Sequence, residues 1–256
     1  MLLHIGAFQL DTDSQLSSPW HRLTPRTRVL CAVLFVFATS LTPNGRWQTW
    51  LVYSLGLLLL LLVSRVTLTV LLRRVAVEFT FVSVVLIGTL FRGGGELLWQ
   101  WGWFRITTEG LIVLGSVSLK ALLCLLMLNL LVLTTSIPSL LHALSSLRVP
   151  PLLIAILASM YRYIGVLIEE FHTMRRAASS RNLMQQRQGK RLVVGNMMGS
   201  LFIRTYERGD RVHQAMLSRG YTGILPTQEV PHTRKSDIAA ITGTVLLILI
   251  GQVAYR

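Results

Sequence analysis

Two arginine-bearing stretches, about forty residues apart, are the parts of this chain best suited to recognising a partner. One is Arg175-Arg176-Ala177-Ala178-Ser179-Ser180-Arg181-Asn182; the other runs Glu207-Arg208-Gly209-Asp210-Arg211 through His213 to Ala215-Met216-Leu217-Ser218-Arg219-Gly220-Tyr221. Both read as helix ends. An arginine guanidinium is planar, always charged and forked, so it holds a carboxylate through two parallel hydrogen bonds in a partly dry groove. Lysine, a compact point charge, does this poorly. Taken singly, such arginines read as solvated charges on a basic face.

Other chemistries lack their residues. No G-x-x-x-x-G-K-[ST] loop is present to cradle nucleotide phosphates, and neither G-x-S-x-G nor H-E-x-x-H occurs. The histidines His4, His21, His142, His172, His213 and His232 form no i, i+4 pair, so no metal site is expected in the chain. Cys31 and Cys124 lie in separate apolar runs without C-x-x-C spacing and read as packed thiols. An integral-membrane transferase would need a cluster of acids, and the candidates are Glu169, Glu170, Glu207 and Asp210. These sit among arginines and read better as intrachain ion pairs.

The composition places these stretches in a membrane protein. The chain is 52% hydrophobic and only 14% charged, too apolar for a water-soluble domain. Its 25 Lys and Arg exceed its 11 Asp and Glu, but they lie in loops between apolar runs, which points to membrane topology rather than nucleic acid. The first ten residues lack a basic n-region followed by an A-x-A site, so no cleaved signal peptide is expected.

Apolar runs cover Val29 to Leu41, extended back to Pro25, then Trp47 to Val63, Val75 to Phe91, Leu111 to Thr135 and Ile238 to Tyr255. Pro25 suits a first helical turn, where its missing N–H costs nothing, and Arg26 and Arg28 are expected to snorkel. Thr42-Pro43-Asn44-Gly45 and Arg92-Gly93-Gly94-Gly95 read as loops. The alternation Trp99, Trp101, Trp103 suits a strand or an interfacial turn, and is taken as an aromatic anchor at the membrane surface. With the N-terminus inside, twenty basic residues fall on the inner side against four outside. Leu152 to Ile168 is apolar enough for another span, but crossing there would put most of the fourteen basic residues of 136–236 outside. It is therefore expected to lie along the inner face, introduced by Pro150-Pro151.

A polar linker over 184–191 leads into a long helix from Leu192 to Ser218. On it Arg204, Arg208, Arg211 and Arg219 share one sector, free to meet an acidic partner, and Met198, Phe202 and Tyr206 line another, expected to pack. Gly220 and Gly223 end it, and residues 225–236 form a linker back to the membrane. Within the spans, Glu78, Asn129 and Lys120 need partners facing the bundle. For Lys120 a carbonyl or another polar side chain is the expected one, with a functional role the alternative.

Against this frame, His21-Arg22-Leu23-Thr24-Pro25-Arg26 resembles the start of the transmembrane (T) components of energy-coupling factor (ECF) transporters. Tyr161-Arg162-Tyr163, Glu169-Glu170, Met174-Arg175-Arg176-Ala177 and Ala215-Met216-Leu217-Ser218-Arg219-Gly220 resemble its cobalt/nickel branch, the CbiQ type, in the same order over nearly the whole chain. The resemblance implies an all-α polytopic membrane protein. Residues 1–135 would hold four transmembrane helices, 136–236 a cytoplasmic coupling domain of long crossed helices, and 237–256 the last span. It also implies that two coupling helices each end in a motif of the form Ala-Arg-Gly that docks into one subunit of an ATPase pair. By position these motifs are Ser180-Arg181-Asn182 and Ser218-Arg219-Gly220, with Arg175, Arg176, Arg204, Glu207, Arg208 and Arg211 supporting them. Serine is small enough to replace alanine, and asparagine tolerates left-handed backbone, so docking is expected to survive both departures.

The implied function is that of a non-catalytic subunit of an ATP-driven importer in the bacterial inner membrane. It would join two ABC ATPases, which bind Mg-ATP, to a metal-binding membrane S component, and bind no cofactor itself. The cargo would be Co²⁺ or Ni²⁺, in keeping with a role in supplying cobalamin biosynthesis. The alternatives are a T component serving vitamin-binding S subunits and, further off, the transferase.

Overall fold

The computed structural model describes residues 18–64, 66, 68–89, 97–101, 104–183, 189–223 and 235–253. His4 and the rest of the first seventeen residues lie outside these, as do Arg65, the Arg92-Gly93-Gly94-Gly95 loop and Trp103. So do residues 184–188 and 224–234, including Pro226, Pro231 and His232, and Arg256.

The protein is an all-α polytopic membrane protein with one short β-ribbon among its described residues. The helices are α1 (Pro25–Leu41), α2 (Trp47–Ser64), α3 (Leu68–Thr89), α4 (Thr108–Thr134), α5 (Ile137–Ser146), α6 (Pro151–Ser180), α7 (Gly189–Ser218) and α8 (Lys235–Val253). Strands β1 (Leu97–Trp101) and β2 (Phe104–Thr107) pair antiparallel, with Trp99 opposite Ile106 and Trp101 opposite Phe104. Of the two conformations open to the Trp99–Trp101 alternation, the backbone takes the strand.

Proline and small polar residues set the helix boundaries. Pro25 occupies the first turn of α1 behind an extended Thr24, and Pro151 does the same for α6 behind Pro150. α3 starts two turns before the apolar run that defined it, so Arg73 and Arg74 lie inside the helix. Arginine is a good helix former and ends nothing by itself. Hydroxyls inside the helices are satisfied locally: Thr42, Thr134, Ser159, Thr205 and Thr242 each donate to the carbonyl four residues back. In the apolar bundle helices this is required, because no water is there to bond them.

The chain divides into two compact units, residues 1–143 with 231–256, and residues 144–230. In the first, α4 packs on α1, α2 and α3, and α8 packs on α1 and α2. Its core holds Cys31, Phe35, Trp50, Tyr53, Leu71, Leu123, Met127, Leu130 and Leu133. Phe35 and Trp50 meet the Tyr53 ring edge-on, at 5.8 and 6.4 Å between centroids. Glycine lets α2 and α8 approach closely, since a Cβ on Gly251 would sit 2.6 Å from the Tyr53 ring and one on Gly56 would collide with Leu247. The opposite faces of these helices expose Leu51, Leu55, Leu59, Leu62, Leu246 and Leu249, as lipid-facing surfaces do.

Four helices are long and apolar enough to cross a bilayer: α2, Gly110–Thr134 of α4, α6 and α8. α1, at 17 residues, and α3, which carries Arg73, Arg74 and Glu78, pack in the same bundle without matching those four in length or apolarity. The apolar stretch of α6 is its first half; Glu169, Glu170, Arg175 and Arg176 follow in the second. The second unit is built on α6 and α7, 30 residues each, packed against one another.

Candidate functional site

The two arginine motifs fold into the same turn. At the end of α6, Arg181 is the C-cap and Asn182 is left-handed, with φ +57°. The Asn182 N–H donates to Ser179 O at 3.0 Å and the Leu183 N–H to Ala178 O at 3.1 Å. At the end of α7, Gly220 has φ +80°, its N–H donates to Leu217 O at 2.9 Å, and the Tyr221 N–H donates to Met216 O at 3.0 Å. Both are Schellman turns with the arginine one residue before the left-handed position. Asparagine stands in for glycine because its short polar side chain tolerates αL geometry.

The serines behave as near-alanines. Ser180 Oγ donates back to Ala177 O at 3.0 Å and Ser218 Oγ to Gln214 O at 3.0 Å, so neither hydroxyl needs an outside partner. Arg181 and Arg219 are exposed, and among the described residues neither has an ion-pair partner. A third turn of the same kind closes α5, where Arg148 N–H donates to Ser145 O and Val149 N–H to Leu144 O. There the arginine itself is left-handed, at φ +63°. Sequence reading missed it because no glycine or asparagine marks the place; the Pro150-Pro151 that follows was the available signal.

Of the remaining sequence-selected arginines, Arg204 and Arg208 brace one helix on another. Glu170 of α6 takes Arg204 and Arg208 of α7, each at 3.4 Å, so these two clamp one helix on the other and are not free for an outside acid. Arg211 pairs with Glu207 one turn away, at 3.9 Å between exposed side chains, and contributes little. Arg176 donates to Thr173 Oγ1 on its own helix, and Arg175 is exposed. Two of the acids a transferase would need, Glu170 and Glu207, are thus engaged with arginines.

The stripe expected to pack is instead open. Phe202 is 73% and Tyr206 74% exposed, with Met198 exposed beside them. α7 turns Thr205, Arg208, Gly209 and Met216 toward α6, where with Ile156, Met160 and Tyr163 they line a groove of about 540 Å³. Arg204 and Arg208 reach Glu170 from this same α6-facing side of α7, a placement that hydrophobic spacing alone did not reveal.

Inside the bundle, Asn129 Nδ2 donates to Glu78 Oε2 at 2.6 Å and to Leu125 O at 3.0 Å, joining α3 to α4. Among the described residues Lys120 meets neither a carbonyl nor a polar side chain; its Nζ lies 5.5 Å from the Trp50 ring centroid, a cation–π contact between α4 and α2. Arg28 does not snorkel. It is 8% exposed and its guanidinium donates to Thr134 O at 2.5 Å, His21 O at 2.6 Å and Leu23 O at 3.0 Å. Three carbonyls converging on one fork outcompete the solvent. Among the described residues no group of three or more His, Cys, Asp or Glu could hold a metal ion.

Residues 16–231 match the family model CbiQ, described as cobalt transport protein. The chain is 28% identical over 219 residues to the energy-coupling factor transporter transmembrane protein EcfT of Lacticaseibacillus paracasei, covering 79% of this chain and 81% of that one. To the protein of the same name from Heliobacterium modesticaldum it is 32% identical over 221 residues, 81% of this chain and 82% of the other. With Thermanaerovibrio acidaminovorans EcfT the figures are 30% over 218 residues, 80% of each chain. The match to the family model spans most of the chain and takes in both arginine turns, and the protein belongs to the CbiQ family.

Proposed function

We propose that this chain is the coupling subunit, the T component, of an ECF-type ABC importer. One observation carries the reading: the twin Schellman turns at the ends of α6 and α7, each presenting an exposed arginine without an ion-pair partner among the described residues. In this reading Ser180-Arg181-Asn182 docks in one ATPase subunit and Ser218-Arg219-Gly220 in the other. Each guanidinium lies at a helix end, close enough to enter a groove and fork onto an acceptor there. Arg204, Arg208 and Glu170 keep α7 fixed on α6, so that relative movement of the ATPase subunits acts on a braced pair of levers and not on two loose helices. Arg175, Arg176, Arg211 and Glu207 support the same surface.

The subunit binds no cofactor of its own; Mg-ATP belongs to the two ATPases, and hydrolysis takes place there. α6 lies along the inner face of the bacterial cytoplasmic membrane, with the N-terminus and residues 136–236 on that side, where fourteen basic residues are held by the positive-inside rule. The open stripe of Met198, Phe202 and Tyr206 is the surface this reading gives to the substrate-binding S subunit. Cobalt or nickel is the cargo favoured by the CbiQ-type motifs. The second reading is an S subunit that binds a vitamin; it stands beside the first because the relatives are named only as energy-coupling factor transporter transmembrane proteins.

The test is ATP-dependent uptake in proteoliposomes holding this chain, its ATPases and its S subunit. Uptake of radioactive Co²⁺ or Ni²⁺ supports the metal reading. Uptake of a vitamin with neither ion moves the cargo to the second reading, and no ATP-dependent uptake of any of them counts against an importer.

A further inference from the structure

The His21-Arg22-Leu23-Thr24-Pro25-Arg26 segment takes no part in docking, yet it is tied to two distant points of the chain. Arg28 reaches from the first turn of α1 to Thr134 O, the last residue of α4, and its other nitrogens hold His21 O and Leu23 O. Thr134 O is one of the carbonyls that a helix C-terminus leaves unpaired, and a cation there also suits the helix dipole. Trp20 Nε1 adds a bond to Thr134 Oγ1 at 3.2 Å. From the other direction, Asp237 in the first turn of α8 accepts the Thr24 N–H at 2.9 Å and is fully buried. Its carboxylate also acts electrostatically on Arg28.

The chain runs from α4 into α5, along which it passes from the first unit to the second, and it returns to the first unit just before α8. The start of α1 is therefore hydrogen-bonded both to the end of the helix that precedes the exit and to the helix on which the chain comes back. We propose that Arg28 and Asp237 are positioning residues that staple these two attachment points of the coupling unit into one rigid base. Force arriving from the second unit then reaches α1, α4 and α8 together. Without the staple the two connections give independently, and ATP hydrolysis continues without transport.

This rests on the coupling reading, and two measurements keep the failures apart. The first needs no partner: hydrogen exchange of the purified chain, comparing wild type with Arg28→Lys and Asp237→Asn. Lysine keeps the charge but cannot fork onto three carbonyls, and asparagine keeps an acceptor for Thr24 while removing the charge. Each variant is expected to speed exchange about tenfold both in residues 130–136 and in 235–241, wherever the substitution lies. Acceleration in only one of the two segments, or in neither, overturns the staple, whatever the chain's function.

The second measures the reconstituted importer. ATPase retention and hydrolysis are expected to stay at wild-type levels while cargo moved per ATP falls about tenfold. Unchanged cargo per ATP overturns the proposal and leaves the coupling reading intact. Loss of ATPase binding in these variants also overturns it, because the role would then be general structural support.

Discussion

At the scale of the residue, the left-handed positions make the sharpest demands. Asn182 and Gly220 occupy equivalent places in equivalent turns, so Asn182→Gly should leave thermal stability in detergent within about 0.5 kcal/mol of wild type. Gly220→Val should cost more than 1 kcal/mol, roughly the penalty of placing a branched side chain in αL backbone. Equal effects of the two would contradict the equivalence. The Glu78–Asn129 bond is a smaller matter: removing it with Glu78→Leu should cost about 1 kcal/mol by the same measurement, because Asn129 keeps its bond to Leu125 O. The arginine turns were legible through the resemblance, which placed motifs of the form Ala-Arg-Gly at Ser180-Arg181-Asn182 and Ser218-Arg219-Gly220; taken singly these arginines read as solvated charges. Arg28 was not, because the three carbonyls that bury it come from residues 21, 23 and 134 and meet only in the fold.

At the scale of the element, hydropathy located the bundle helices and the first half of α6, periodic spacing located α7, and tertiary contacts decided how each is rotated. The Met198, Phe202 and Tyr206 stripe has the spacing of a packed face, but the face of α7 that meets α6 carries Thr205, Arg208, Gly209 and Met216, which leaves that stripe exposed. α5 escaped notice because it is only ten residues long, with Pro138 and three serines among them. Two element-scale tests follow from the packing. A Cβ on Gly251 would press on Tyr53, so Gly251→Ala should destabilise the α2–α8 contact by about 1–3 kcal/mol, read by thermal unfolding in detergent. The Glu170 clamp is partly exposed, and a double-mutant cycle of Glu170→Ala with Arg208→Ala should give a coupling below about 1 kcal/mol. A larger value would mean that the pair is drier than its geometry indicates.

At the scale of the whole molecule, two units serve two purposes: a bundle tightened by glycine and by the Arg28 and Asp237 bonds, and a braced pair of helices ending in arginine. The family was legible because its motifs lie in local sequence, at residues 21–26, 161–182 and 207–220. The α6–α7 groove and the staple were not, since both depend on which faces meet. The central claim is that the two turns are the docking points for a pair of ATPase subunits. Its most direct test is co-purification of the ATPases from membranes with wild type, Arg181→Glu, Arg219→Glu and the double variant. Each single change is expected to weaken retention and the double change to abolish it, with the chain still inserted in the membrane at wild-type levels. Undiminished ATPase binding by the double variant would contradict the account.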